Sequence, residues 1–235
     1  MFLNTNFNQQ NINRHPICID IWGDYAMFTR PESKVERTTY PVPTPSACRG
    51  ILNAIYSKPI EFYYQITQID VMNPIHVTTI TKNELQQVAD NSKIKNDDYS
   101  IDANKYHTQR VSSYLSNVYY RIHAEIILCD NIDTTHVNLK SIVSQFNRRV
   151  ANGKCFYQPY LGTRECICYF SEPDMSHVPI DLDMNIGTML YDVFDLKNNK
   201  PLNTSKSKSQ RNICTDVSFF NADMKHGVIK IPRKY

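Results

Sequence analysis

Glycine is scarce in this chain of 235 residues, with six in all. That scarcity argues against a nucleotide enzyme built on a glycine-rich phosphate loop. No apolar run approaches the roughly 18 residues of a membrane span, and no charged-then-apolar leader opens the chain. The sequence therefore predicts a cytoplasmic protein with no membrane partner. The seven cysteines are odd in number and scattered, with no CxxC pair among them, so they are expected as reduced, small core residues. No ligand spacing supports a zinc site, and neither a metal nor a cofactor is expected. GxSxG, P-loop, HExxH and paired-carboxylate patterns are missing too.

What is present is a globular composition, 41% hydrophobic and 21% charged, with fifteen tyrosines. The net charge is only +3, from 26 basic and 23 acidic residues, so any basic patch must be local. Residues 1–14 are rich in Asn and Gln and are expected to be a frayed tail. In 16–28, Ile17, Ile19 and Ile21 alternate with Cys18 and Asp20, the period of a strand. Thr44 is a good N-cap and Pro45 suits the first helical position. Ile51, Leu52 and Ile55 make that helix's apolar stripe, Arg49 and Tyr56 share its other side, and Pro59 ends it. A strand follows at 61–73, with Phe62, Tyr64, Ile66 and, after a slip in register, Ile69 turned inward.

Residues 76–113 read as a long polar insertion, functional or disordered. Val118 to Cys129 alternates cleanly as a strand, with His123 on its polar face between Arg121 and Glu125 as a satisfied surface histidine. A second helix is predicted over 138–151, stopped by Gly153, and a further strand over 160–170, which puts Cys166 and Cys168 on one face. The order is β-α-β-β-α-β, an α+β, ferredoxin-like arrangement shared with RNA-recognition folds. Short strands at 185–195, 212–220 and 227–231 make a small β extension. The expected domains are thus 15–171, carrying the 76–113 insertion, and 172–235.

Lys140, Arg148, Arg149, Lys154 and Arg164 cluster with the aromatic residues Phe156, Tyr157 and Tyr160. Cations neutralise phosphates and flat rings stack on unpaired bases, so cluster and fold together point to nucleic acid; the bland alternative is a solvated charged face. A second basic run, Lys197, Lys200, Lys206, Lys208 and Arg211, lies in a Ser/Asn-rich stretch and reads as a solvated loop or a duplex-DNA contact. His136 and Lys140 lie near a helix N-terminus, where phosphate is attracted.

Four blocks carry a family resemblance: GDYAMFTRPESK at 23–34, YPVPTPSACRGILNAIYSKP at 40–59, NRRVANGKCFYQPYLGTREC at 147–166, and NIGTMLYDVFD at 185–195. In order and spacing they resemble the CRISPR-associated family-five proteins of the type I-C, or d, subtype, over nearly the whole chain beyond its tail. The resemblance implies a RAMP-type ferredoxin-like domain with a β-rich extension. It implies a metal-independent endoribonuclease that cuts precursor CRISPR repeat RNA at the base of its hairpin. It also implies that the protein stays on the crRNA 5′ handle, beside the backbone, large and small subunits of the surveillance complex. The alternative is a non-cleaving subunit that only caps the handle, and some family members are said to bind duplex DNA.

The family's proposed catalytic set is a tyrosine on the first helix and an adjacent Lys-His pair at the start of the second. Tyr56 holds the tyrosine position. The pair is not adjacent here: Lys140 stands at one register and His136 four residues earlier. The implied mechanism is attack by the ribose 2′-OH on the neighbouring phosphate, giving a 2′,3′-cyclic phosphate and a free 5′-OH. Lys140 would stabilise phosphate charge, His136 would protonate the leaving oxygen, and Tyr56 would position by hydrogen bond. Arg49, Arg148, Arg149, Lys154, Tyr157 and Arg164 are the expected RNA contacts.

Overall fold

The computed structural model describes residues 14–33, 35–92, 94, 99–129, 137–195, 200–201 and 218–233. The expected tail apart from Arg14, His136, Cys214 and, of the second basic run, all but Lys200 lie outside them. The elements run β1 (Arg14–Ala26), α1 (Pro45–Ile55), β2 (Phe62–Val71), β3 (His76–Leu85), α2 (Ala103–Tyr106), β4 (His107–Leu128), α3 (Leu139–Ala151), β5 (Tyr169–Ser171), β6 (Met184–Asp192), β7 (Phe194–Asp195), β8 (Lys200–Pro201), β9 (Ser218–Lys225) and β10 (Val228–Lys230). The main sheet is antiparallel in the order β5-β1-β4-β2-β10-β9-β6, with β3 added to β4 and β7-β8 a separate pair. Strands β1, β4, β2 and β5 with α1 and α3 form the ferredoxin-like frame.

Register explains the core. Ile19 lies opposite Ile122, Ile122 opposite Ile69, Ile69 opposite Ile229, and Ile229 opposite Met224. That buried row crosses from the ferredoxin-like strands into the C-terminal ones without interruption. The extension therefore continues the same sheet through β10 against β2. The slip expected in β2 is a bulge between Ile66 and Gln68, which returns Ile69 to the inward face.

Helices α1 and α3 cover that face, α1 against β2 and β6, α3 against β1, β4 and β5. The α1 start is capped as expected, Thr44 Oγ1 accepting from the Ala47 N–H at 3.2 Å. Its end comes before Pro59: Tyr56 is already extended at φ −152°, ψ 124°. Tyr56 therefore does not share a helical face with Arg49. Helix α3 ends in a Schellman turn, with Gly153 at φ +60°. The Gly153 N–H donates to the Val150 carbonyl and the Lys154 N–H to that of Arg149.

Two segments differ from expectation. The polar insertion at 76–113 is largely a β arm, in which β3 pairs with the first half of β4 from His76 opposite Ser116 to Leu85 opposite His107. Its side chains alternate between half-buried and exposed, so no apolar row marks it in the sequence. Strand β4 is 22 residues long and passes from core to arm through Asn117, which sits at φ +52° and whose carbonyl accepts from Asn73 Nδ2 at 2.9 Å. The other difference is at 160–170. Only Tyr169–Ser171 is a strand; the rest is a tight loop bridged between Tyr160 and Ile167. Gly162 has φ +87° there, and a Cβ would lie 2.0 Å from the Met27 carbonyl oxygen. Cys166 and Cys168 are both buried, as free thiols in the core.

Among the described residues, α1 and α3 pack on the first face and neither covers the other. Asp20, Arg121 and Asp70 lie opposite one another along one row, and Cys18, His123 and Gln68 along the next. Asp20 is fully buried and accepts from Arg121 Nε at 2.6 Å, Arg121 Nη2 at 3.0 Å, Tyr119 Oη at 2.9 Å and the Asp174 N–H at 2.8 Å. His123 is held by Asp70 at 2.8 Å, as a satisfied histidine. That hydrogen bond, with a second to Cys18, raises His123 from 6.5 to about 9. A raised histidine stabilises the fold fully below its unfolded value near 6.5 and loses that contribution as pH rises through 9. We expect the melting-temperature gap between wild type and His123→Gln to be widest near pH 6 and to close above about pH 9. A gap independent of pH would exclude this linkage.

Candidate nucleic-acid interface

Helix α1 delivers Tyr56 to the end of the sheet where β2 begins. The Tyr56 carbonyl accepts from the buried Tyr64 hydroxyl at 2.6 Å, which anchors the backbone there. Its ring is buried, 5.5 Å from the Phe62 ring and stacked 6.2 Å from that of Phe156. Arg149 closes this cage. Its guanidinium lies 4.2 Å from the Phe156 centroid and 5.4 Å from that of Tyr56, and it donates Nη1–H to the Ile55 carbonyl at 3.1 Å. A cation at the C-terminal carbonyls of α1 suits the helix dipole. The Phe156 N–H donates to the Ala54 carbonyl at 2.7 Å, docking the loop after α3 onto the same helix end.

Beside Tyr56 stands Lys58, whose ammonium donates to both Glu61 carboxylate oxygens at 2.9 and 3.0 Å. The Glu61 hydrogen bond raises the Lys58 pKa above its ordinary value. Lys58 was not among the residues expected from the sequence, although a Tyr-x-Lys spacing off a helix end was there to be read.

The expected contacts divide sharply. Arg49 is committed inside the protein: its Nε and Nη2 form a bidentate pair with the buried carboxylate of Asp192, at 2.7 and 2.8 Å. It is therefore a structural tie between α1 and β6 and not a free phosphate ligand. Arg149 is half-buried and serves the Tyr56 cage. Arg148, Lys154, Tyr157 and Arg164 are exposed, along the end of α3 and the loop behind it, with the exposed rings of Phe156 and Tyr160 between them. Lys140 is exposed in the first turn of α3, its N–H donating to Asn138 Oδ1 at 2.9 Å. It is roughly 13 Å from Arg149 along the helix axis, at about 1.5 Å per residue.

The arm leans on this loop. Lys82 of β3 pairs with Glu165 at 2.5 Å, and Tyr114 of β4 donates to the same carboxylate at 3.3 Å. The Lys82 bond pulls Glu165 down to about 2. No group of His, Cys, Asp and Glu suited to a metal occurs among the described residues, and no described helix is long and apolar enough to cross a membrane. Chemically, the arrangement offers a fixed phenol with a cation beside it, on a surface that alternates positive charge with aromatic rings.

Comparison with known proteins places these features. The model of a family described as CRISPR-associated protein (Cas_Cas5) matches residues 17–232. A CRISPR pre-crRNA endoribonuclease Cas5d of Thermus thermophilus is 35% identical over 217 residues, covering 91% of this chain and 90% of its own. The protein of the same description from Mannheimia succiniciproducens is 34% identical over 234 residues, covering 93% of this chain and 96% of its own. A crystal structure titled as a CRISPR-associated protein superposes with a TM-score of 0.64 at 23% identity, over 95% of each chain, and shares the fold.

Proposed function

Since the chain belongs to the Cas5d family of CRISPR-associated proteins, we propose that it is the endoribonuclease that cuts precursor CRISPR repeat RNA at the base of its hairpin. It then holds the crRNA 5′ handle as a subunit of a type I-C surveillance complex. The observation that carries this reading is the caged Tyr56. Its ring is fixed by Phe62, Phe156 and Arg149, Lys58 follows two residues on, and exposed cations and aromatics continue from it.

The ribose 2′-oxygen attacks the adjacent phosphorus, its proton passing to solvent water, and the P–O5′ bond breaks. The 5′ oxygen leaves with a proton, and the phosphate closes as a 2′,3′-cyclic ester. Tyr56 positions the phosphate through its hydroxyl. Lys58, two residues on from Tyr56, stabilises charge on the phosphate oxygens, with Lys140 further along α3 holding the RNA. His136 is the residue to test as the proton donor to the leaving oxygen. Arg148, Lys154, Tyr157 and Arg164 take the single-stranded flank by charge and stacking.

The test is incubation of the protein in EDTA with its repeat hairpin and with an analogue carrying one 2′-deoxy nucleotide at the cut. Cleavage of the first and not the second is expected. Loss of cleavage on chelation, or cleavage of both, would overturn the mechanism. Tight binding with no cleavage of either would establish the alternative, a subunit that caps the handle without cutting it.

A further inference from the structure

Gly50 sits in the interior of α1, exposed, with nothing within 4 Å of the place a Cβ would occupy. Helical glycine is destabilising relative to alanine, and nothing in the fold requires it here, because its φ is not in the left-handed region and no neighbour crowds it. The open space beside it is part of a cavity of about 310 Å³. Small residues one helical turn apart, Ala47, Gly50 and Ala54, form its floor, and Met27, Phe28 and Tyr160 stand around it.

The lining is uncharged, with Thr29, Thr44 and Ser46 as its hydroxyls. Lys154 and Arg164 are exposed on the loop that carries Tyr160, and Arg30, next to Thr29 of the lining, lies 4.5 Å from the Tyr40 ring centroid and pairs with Glu32 at 3.6 Å. The buried Asp192 carboxylate, which accepts from Ser46 of the lining at 3.4 Å, is neutralised by Arg49. Tyr160 is 37% exposed, a ring available for stacking at the cavity mouth.

We propose that this cavity receives one unpaired nucleobase of the repeat RNA, stacked at Tyr160 and seated over Gly50, so that α1 selects a nucleotide as well as carrying Tyr56. The proposal rests on the RNA-processing function above and adds to it a site at which one base is read. The absence of a side chain at Gly50 is then a requirement of the ligand and not of the fold.

The experiment uses the full chain, Gly50→Ala and Gly50→Leu, with the repeat hairpin and a set of hairpins each carrying one abasic ribose. Both variants should melt at or above wild type, by about 2–4 °C for alanine. Gly50→Leu should bind the intact hairpin about tenfold or more weakly, the scale of one lost base stack. A single abasic position should weaken wild type by a similar factor and leave Gly50→Leu unaffected.

A variant that melts below wild type would make the glycine structural and overturn the proposal. So would Gly50→Leu binding as wild type, or losses that add at every abasic position; in both cases wild-type cleavage would leave the ribonuclease reading standing. If wild type itself fails to bind the hairpin, the base pocket and the ribonuclease reading fall together. Normal hairpin binding by Gly50→Leu with a lost protein subunit would assign the cavity to a protein neighbour instead.

Discussion

Asp20→Ala should lower the melting temperature by about 6–20 °C. The estimate comes from the roughly 3–5 kcal/mol lost when one partner of a buried ion pair is removed, at about 2–4 °C per kcal/mol for a chain of this size. Asp20 is 0% exposed and the Arg121 side chain 7%. The carboxylate satisfies Arg121, Tyr119 and the Asp174 N–H together. Removing it leaves a guanidinium buried against β1 and β4 with its main acceptor gone; the Asp174 carbonyl at 2.6 Å is a neutral substitute. The double variant Asp20→Ala, Arg121→Met should lose less than the sum of the single changes, because it no longer buries an unpaired charge.

The pH dependence follows the same group. Burial pushes the Asp20 carboxyl up, but the hydrogen bonds from Arg121, Asp174 and Tyr119 outweigh it and hold the group below 3.8. A depressed carboxyl contributes stability above its unfolded value and loses it as pH falls through the folded one. The gap between wild type and Asp20→Ala should thus be constant near neutrality and shrink only in strong acid. Calorimetric scans of the four proteins of the cycle decide the matter, and full additivity would remove the coupling.

Tyr56→Phe should slow cleavage by about 10²-fold, the lower range for loss of one well-placed hydrogen-bond donor in a reacting site, while leaving RNA affinity nearly unchanged. The reason for separating the two effects is geometric. Phenylalanine keeps every ring contact of the cage, with Phe62, Phe156 and Arg149, and loses only the hydroxyl. Single-turnover rates read with the dissociation constant distinguish a chemical role from a packing one. Equal rates would take Tyr56 out of the mechanism, and a parallel fall in affinity would make the hydroxyl a binding contact.

Local chemistry was legible in the sequence wherever it was apolar or conformational. Thr44 and Pro45 announced α1, Gly153 announced the end of α3, and the misphased Ile69 announced the bulge in β2. What escaped was whatever depends on pairing across distance. The Arg49–Asp192 tie joins residues 143 positions apart, and nothing near Arg49 in the chain marks it as occupied. The arm was invisible because both of its strands are largely solvated, so Thr78, Thr79 and Thr81 carry β-propensity without an apolar period. At the site, the resemblance supplied Tyr56, and the Tyr-x-Lys spacing offered Lys58, whereas the second role of Arg149 emerges only once Tyr56 leaves the helix and packs against the end of α3.

Because β4 belongs to the core and the arm at once, it is also a single strand with two lifetimes. Its amides beyond Val118 are locked between β1 and β2, so their exchange with solvent requires the whole sheet to open. Those from His107 to Val111 have β3 as their strand neighbour, an edge strand, and exchange through local fraying. Between the two regimes stands Asn117, a left-handed residue that leaves the β1 ladder unpaired at its position. A load applied at the arm's tip would therefore be transmitted to the sheet along an unbroken backbone, with its bearing point at the Lys82–Glu165 contact on the loop after α3.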